Sequence, residues 1–400
     1  MMDIVVIVIT VLSGALVVYH HALYPLLLKK LARINTARSC AENSTENSAE
    51  VTAHTHALPT ITIVVPAYNE QQWIAEKIRN LAALNYPAEL VHIIIACDGC
   101  RDNTAQIAVQ TLQEPICRDA NITVKNFLIN RGKVAVINDV VSRCYSDLVM
   151  LTDVSALLSI DALTIAAQRF ADNNIGVVNS RYCLWQAGSA GEALYWRYQS
   201  DIKQCEANLG STLGTHGACY VFRRRLFTPL PGDTINDDFI LPMSIVAQGF
   251  RSVQEHNLIA LEMEASDEQM DFNRRIRISA GNLQQLWRLK TLLHPKHGWL
   301  AFNFASGKAL RVLMPYLMLL ALIGSLWLAP ESWLFALLAG LQILVYSLAV
   351  WGIGRQSSHR ITKALAYLVA GHAASLWGSL RYAMGLERGR WHRITQTPQP

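Results

Sequence analysis

Charge is scarce in this chain: only 16% of its 400 residues are Asp, Glu, Lys or Arg, against 52% hydrophobic. The shortage is uneven. Ile4–Leu28 holds no charged residue at all, and Leu310–Ala329, Trp333–Ile353 and Thr362–Tyr382 hold very few. A bilayer span needs about 20 mostly apolar residues, so each run is long enough to cross. A cleaved secretory signal is argued against by two omissions, a basic start and a small-residue cleavage site. Cysteine patterning is also thin. The eight cysteines make one CxxC, Cys97 with Cys100, and no second pair or histidines stand at ligand spacing, which argues against a zinc site. Free thiols in a reducing cytosol fit instead. No repeat of fixed period is present. The net charge is +5, the pI is about 8.7, and the basic residues stand beside apolar segments. That suits anionic lipid heads or a phosphate ligand, not nucleic acid.

Lys29, Lys30, Arg33 and Arg38 follow the first apolar run, which by the positive-inside rule puts the N-terminus outside and the central chain in the cytosol. One anchor and three later spans put both termini outside. The basic loop Arg355–Lys363 agrees with this, while the basic tail Arg388–Arg393 argues against an outside C-terminus; both obey the rule only if the last segment lies in the interface instead of crossing, and the side of the C-terminus stays open. Ala37–Pro59 is polar without apolar period and reads as a flexible linker. The expected organisation is an anchor over 1–30, a linker over 31–59, a cytosolic α/β domain over 60–270, a basic motif with interfacial helices over 271–308, about three membrane helices over 309–385 and a basic tail over 386–400.

Between the apolar ends, strand and helix patterns alternate. Ile61–Val65, Val91–Ala96, Ile122–Leu128 and Leu148–Leu151 are short apolar runs suited to buried strands. Asn69–Leu84, Asp102–Leu112 and Lys133–Cys144 have helical character between them. The alternation predicts a mostly parallel sheet with helices on both faces and ligands at the carboxyl ends of the strands. Later segments are more mixed: strands at Gly176–Tyr182 and His216–Arg223, helices at Ala193–Leu209 and Phe239–Ala247, and an amphipathic stretch from Phe272 to His294.

Polar residues cluster after each of the first four strands: Pro66-Ala-Tyr-Asn-Glu70, Asp98-Gly-Cys-Arg-Asp102, Asn130-Arg-Gly-Lys133 and Thr152-Asp153. Loops on one sheet edge converge on one pocket, and carboxylates meeting cations there suit a metal with a diphosphate. Plainer roles exist for each: Asp98 could cap a turn, Asp102 the next helix, and Arg131-Gly-Lys133 could be a solvated turn rather than a phosphate site at a helix start.

Taken together these motifs resemble the family 2 glycosyltransferases of GT-A fold, which include bacterial membrane synthases of cellulose, hyaluronan and poly-N-acetylglucosamine. The resemblance runs from about Ile61 to Arg311. It is carried further by Gly217-Ala-Cys-Tyr-Val-Phe-Arg-Arg224, Asn236-Asp-Asp-Phe239, Arg274-Arg-Ile-Arg277 and Ser306-Gly-Lys308. It implies that Pro66, Tyr68 and Glu70 line the nucleotide pocket, Asp98 binds a uracil-type base, and Arg131 and Lys133 lie near the nucleotide. Asp153 would hold Mg²⁺ or Mn²⁺ on the donor diphosphate. Asp238 would be the general base of an inverting transfer, with Asp237 beside it as the alternative; a helix cap is the plainer role for both. Arg274, Arg275 and Arg277 would face the diphosphate or the acceptor channel, or else form a basic face toward anionic lipid.

Two departures stand out. Position 155 is Ser where the family's metal motif has a second acid, and the Gln-x-x-Arg-Trp of processive synthases is here Arg274-Arg-Ile-Arg277-Ile278. The implied protein is a multi-pass plasma-membrane enzyme with a cytosolic catalytic domain. It would take a nucleotide-sugar donor, expected to be UDP-linked, and a glycan or lipid-linked acceptor, in contact with membrane lipids and export or polymerisation partner proteins. A transferase adding one sugar to a lipid, and an inactive nucleotide-sugar-binding scaffold, are the alternatives.

Overall fold

The β-branched runs of the central chain form one eight-stranded sheet, and the apolar ends form helices. The structure, a computed structural model, describes residues 2–46, 57–186, 190–264, 268–354 and 359–387. They fall into two compact units, one of residues 32–264 and one of residues 2–31 with 268–387. The chain opens with α1 (Met2–Val18), a π-helical turn at Tyr19–Leu23, and α2 (Tyr24–Glu46).

The sheet unit runs β1 (Ile61–Ala67), α3 (Ile74–Ala82), β2 (Val91–Asp98), α4 (Thr104–Thr111), β3 (Ile122–Phe127), α5 (Lys133–Ser142), β4 (Leu148–Thr152), β5 (Ala156–Leu158), α6 (Ala162–Arg169), β6 (Ile175–Leu184), α7 (Ala190–Asn208), β7 (Cys219–Arg223), α8 (Asp237–Ala247) and β8 (Arg251–Glu262). The strand order is β3-β2-β1-β4-β7-β6-β8-β5. The first four strands are parallel; β7 enters antiparallel between β4 and β6. Every residue of β1 is buried, as a parallel strand covered on both faces requires. Ile63, Val65, Ile95 and Met150 are wholly buried in the core, and each such side chain contributes about 1.5–3 kcal/mol by leaving water.

The topology fixes where a ligand can enter. The chain builds outward from β1 through β2 to β3, then returns to place β4 on the other side of β1. That reversal is a switch point, where flanking loops diverge and leave a crevice. The register shows the opening: β1 pairs with β4 only as far as Val64 with Leu151, but with β2 as far as Ala67 with Cys97. Pro66 lies beyond the last β4 pair, where its missing N–H interrupts no ladder on that side.

The second unit contains α1, the π turn, the start of α2, then α9 (Glu268–Arg288), α10 (Trp299–Asn303), a second π-helical segment at Phe304–Ala309, α11 (Leu310–Leu328), α12 (Trp333–Gly354) and α13 (Arg360–Ala383). Among the described residues three helical stretches are long and apolar enough to cross a membrane: Ile4–Ala37, Trp299–Leu328 and Trp333–Gly354. α1 packs tightly on α11, where a Cβ at Gly324 would lie within bonding distance of the Thr10 hydroxyl. Small residues permit such approach between apolar helices.

Two expectations change. The segment expected as a linker is helical up to Glu46, because Ala, Arg and Glu within it favour helix; residues 47–56 lie outside the described residues. The fourth expected span forms α13, but it is less apolar than the other three, with Lys363, His372 and Arg381 along it. It packs against α9, where a Cβ at Gly378 would run into the Ile276 carbonyl. Part of the basic loop that bore on topology, residues 355–358, and the tail beyond Glu387 lie outside the described residues.

Candidate active site

The loops at the open end of the first four strands are tied to one another. Asn69 adopts positive φ (57°) so that its side-chain oxygen accepts the Arg101 N–H at 2.8 Å. Thr104 Oγ1 accepts the Glu70 N–H at 2.7 Å. Asp102 is a structural residue: its carboxylate accepts the Thr104 N–H at the start of α4 and the Gln71 N–H. Gly99, at φ 64°, packs its backbone on the next loop, where a Cβ would lie 2.2 Å from the Asn130 nitrogen. Pro66 is buried at the end of β1, and Tyr68 and Glu70 are half-buried just beyond it.

Asp98 ends β2 and is completely buried. Its Oδ2 accepts the N–H groups of Arg131 and Gly132 at 2.9 and 2.8 Å, so it shapes the turn entering α5. Gly132 takes φ 90° at that turn, a conformation that disfavours a side chain. The other oxygen, Oδ1, has no hydrogen-bond partner among the described residues and lies 3.7 Å from the Arg131 guanidinium. The guanidinium itself stacks on Phe127 at 3.8 Å.

Three more carboxylates gather around one ammonium. Lys133, the first residue of α5, places Nζ 2.8 Å from Asp153 Oδ1 and 3.6 Å from Asp237 Oδ2. Asp153 follows β4; Asp237 and Asp238 form the first turn of α8, placed there by the bond from the Thr215 N–H to the Asp238 carbonyl at 2.9 Å. Asp237 is buried and Asp238 half-buried. Burial pulls the Lys133 pKa down, but Asp153, Asp237 and Asp238 outweigh it and hold the value above that of an ordinary lysine. Gly217 is the floor of the cluster. A Cβ there would lie 3.1 Å from Asp153 Oδ2, 3.7 Å from Asp238 Oδ2 and 3.8 Å from Lys133 Nζ.

Sequence reasoning missed several neighbours. Tyr220 on β7 is buried with its hydroxyl unpartnered among the described residues; burial, and then Asp237, Asp238 and Asp153, push its pKa well above the ordinary value. Lys77 on α3 is wholly buried beneath Asp153, donating to Thr152 Oγ1 at 2.8 Å and to the Ala156 carbonyl. Burial is the main cause lowering its pKa to about 8, opposed by Cys219, Asp153 and Glu262. The signal was available: Lys77 falls on the same helical stripe as Ile74, Ile78 and Leu81, all buried. Beside Gly217, His216 stacks on Tyr182 with ring centroids 3.7 Å apart.

Arg274, Arg275 and Arg277 lie on α9, in the helical unit. Arg274 and Arg277 are exposed, and Arg275 stacks on Tyr367 at 3.9 Å.

The sequence pattern of the glycosyltransferase-like family 2 matches residues 59–281, more than half of the chain, and the chain belongs to that family. An N-acetylglucosaminyltransferase of Rhizobium meliloti is 21% identical over 267 residues, 62% of each chain. A poly-beta-1,6-N-acetyl-D-glucosamine synthase of Staphylococcus aureus is 25% identical over 199 residues, 48% of this chain and 47% of that one. The chain thus spans about half to two-thirds of the length of these curated relatives. A mannosyltransferase of Pyrobaculum calidifontis, solved with GDP-Man and Mn²⁺, shares the fold with a TM-score of 0.67 at 21% identity, covering 92% of this chain and 99% of that one.

A divalent cation, which this fold class implies, can be tested against the side chains present. Among the described residues no group of three or more His, Cys, Asp and Glu could hold a metal ion. Asp153 nevertheless turns Oδ2 toward the space above Gly217. One carboxylate there fits a hard cation that takes its remaining ligands from water and substrate phosphate, as Mg²⁺ commonly does.

Proposed function

We propose that the chain is a membrane-bound glycosyltransferase moving a sugar from a nucleoside diphosphate donor to a lipid-linked or growing glycan acceptor, with inversion. The observation that carries this reading is the meeting of Lys133, Asp153, Asp237 and Asp238 above Gly217, at the switch point where Asp98 Oδ1 is buried with no hydrogen-bond partner among the described residues. In it, Asp98 Oδ1 accepts an N–H from the nucleobase, with Tyr68 and Glu70 on the same rim. Asp153 holds Mg²⁺ or Mn²⁺ on the diphosphate; when bound, the ion offsets charge on the leaving group. Lys133 keeps the acidic cluster compact before donor arrives.

Asp238 is the general base. It is less buried than Asp237, so its carboxylate is the one more accessible to the acceptor hydroxyl proton. A UDP-linked sugar is the first donor to offer; the names of two relatives carry N-acetylglucosamine and that of the fold neighbour carries GDP-Man. The three apolar helices anchor the enzyme in the plasma membrane with the sheet unit in the cytosol, where export or polymerisation proteins would meet it. Ile278, standing where processive synthases carry Trp, favours short products over long chains.

The test is to give full-length protein a panel of nucleotide sugars with Mg²⁺ or Mn²⁺ and membrane lipid, and to identify the released nucleotide and the product. One donor should be consumed by wild type and not by Asp238→Asn. Equal turnover by the two proteins would remove Asp238 from the reaction, and no turnover of any donor would leave only a binding role.

A further inference from the structure

The helical unit is poor in acid. Among its residues with described side chains the carboxylates are Glu331 and Glu387, and Glu387 is held by Arg381 at 2.6 Å. Inside this unit two π-helical segments, Tyr19–Leu23 and Phe304–Ala309, face each other. π turns are uncommon and recur at functional sites, because they widen a helix and re-aim its side chains. Tyr19 Oη and Ser306 Oγ lie 2.9 Å apart, and His20 Nδ1 lies 2.9 Å from the Ser306 carbonyl. A carbonyl only accepts, so that ring nitrogen carries the proton. The approach needs Gly307, where a Cβ would be 2.8 Å from the Tyr24 hydroxyl.

Further polar groups share this place. The His21 ring sits edge-on to both His20 and His372, each pair with centroids 5.1 Å apart. Arg311, at the start of α11, is near enough for its charge to act on all three histidines. It is half-buried, and among the described residues it has no ion pair and no hydrogen bond. Asn303, the residue before the second π segment, is 1% exposed with both amide atoms without hydrogen-bond partners among the described residues. Both π segments lie in stretches long and apolar enough to cross a membrane. An arginine in such a stretch is costly without a counter-charge and marks a functional site.

The chemistry selects the ligand. A guanidinium, imidazoles and a phenol meet here with no carboxylate among the described side chains; the guanidinium repels cations and grips the oxygens of a phosphate bidentately. From His21 to Lys29 the helix rises about 12 Å, so the cluster lies below the basic collar of Lys29 and Lys30. We propose that the two π segments, with Arg311 and His372, bind the phosphate group of a membrane lipid. This rests on the reading that the helical unit is membrane-embedded, and where the lipid is the acceptor it names the group by which that acceptor is held.

The experiment places full-length protein in micelles of a non-ionic maltoside, which carries no phosphate, and measures binding of a short polyprenyl phosphate and of phosphatidylglycerol. Arg311→Gln should weaken lipid-phosphate binding at least about tenfold, the loss expected for one charge-assisted contact. Arg311→Lys should keep part of it, and the double variant His21→Ala/His372→Ala should weaken it several-fold. Nucleotide binding and the thermal midpoint report folding; should Arg311→Gln not fold, the histidine double variant decides. Tighter binding of polyprenyl phosphate supports the site with the acceptor as occupant, and equal binding supports it with bilayer phospholipid as occupant. Wild-type affinity for both lipids in folded Arg311→Gln and His21→Ala/His372→Ala overturns it. Because the readout is lipid binding, a protein that binds lipid phosphate but transfers no sugar counts against the proposed reaction and leaves this site standing.

Discussion

Two polar clusters in this molecule solve the problem of buried charge in opposite ways. In the sheet unit, Asp153, Asp237 and Asp238 surround Lys133, so acid exceeds base before any ligand is present. In the helical unit, the charge of Arg311 acts on His20, His21 and His372, and among the described residues no acid lies in its ion-pair range. Buried charge is costly unless paired, so the sign left over indicates the ligand. The acid-rich cluster is suited to a cation together with the phosphates it bridges, and the acid-free one to a phosphate alone.

The sharpest way to break the contrast is to remove acid from the first cluster. Asp238→Asn keeps the shape of the α8 turn, because the Thr215 bond is to the backbone carbonyl. It should lower sugar transfer by about 10²- to 10⁴-fold, the range for loss of a general base, while nucleotide binding persists. A smaller effect comes from filling the floor. In Gly217→Ala the new methyl would stand 3.1 Å from Asp153 Oδ2, tighter than ordinary contact, so that carboxylate must shift by tenths of an ångström. Transfer should fall about tenfold to a hundredfold, as small misplacements of reacting groups do, with little change in thermal midpoint. Wild-type kinetics for Gly217→Ala would mean that Asp153 does not set the geometry of the reaction.

How far this could be read in advance differs between the two halves of the sheet. The runs that became β1 to β4 are short, apolar and followed by polar loops, so both the strands and the residues at their ends were legible. Asp98, Arg131, Lys133 and Asp153 are found at one edge for that reason. β8 was not foreseen. It mixes Gln254, Glu255, His256 and Asn257 into the strand, and its pairing with β6 slips register twice, which destroys the period of two. β5 is only three residues long and gives no period at all. Asp237 and Asp238 were legible as a pair, but their approach to Lys133 was not, because it depends on β7 lying antiparallel beside β4 and bringing Gly217 under Asp153. In the helical unit the apolar stretches were plain from composition. The π segments were not, since the helical repeat they interrupt continues on either side.

Lys77 gives the finest test of the contrast, being a buried cation inside the acid-rich half. Its ammonium joins Thr152 Oγ1 to the Ala156 carbonyl and so fixes both ends of the turn that carries Asp153. Lys77→Met fills much of the same space but releases that turn. Metal affinity, read from the metal dependence of transfer, should fall roughly tenfold to a hundredfold, as for loss of a group that orients a ligand, and saturating metal should restore most of the rate. The pH dependence separates this role from simple packing. The folded pKa is about 8, below the 10.5 of an ordinary lysine, so between these values the unfolded chain holds more protons than the folded one. Stability from this group therefore rises with pH across that window, and the full cost of burying the ammonium is present below it. Wild type should gain in thermal midpoint relative to Lys77→Met between pH 8 and pH 10. Parallel curves would show that Lys77 does not titrate in the fold and would leave the turn's hold on Asp153 to hydrogen bonding alone.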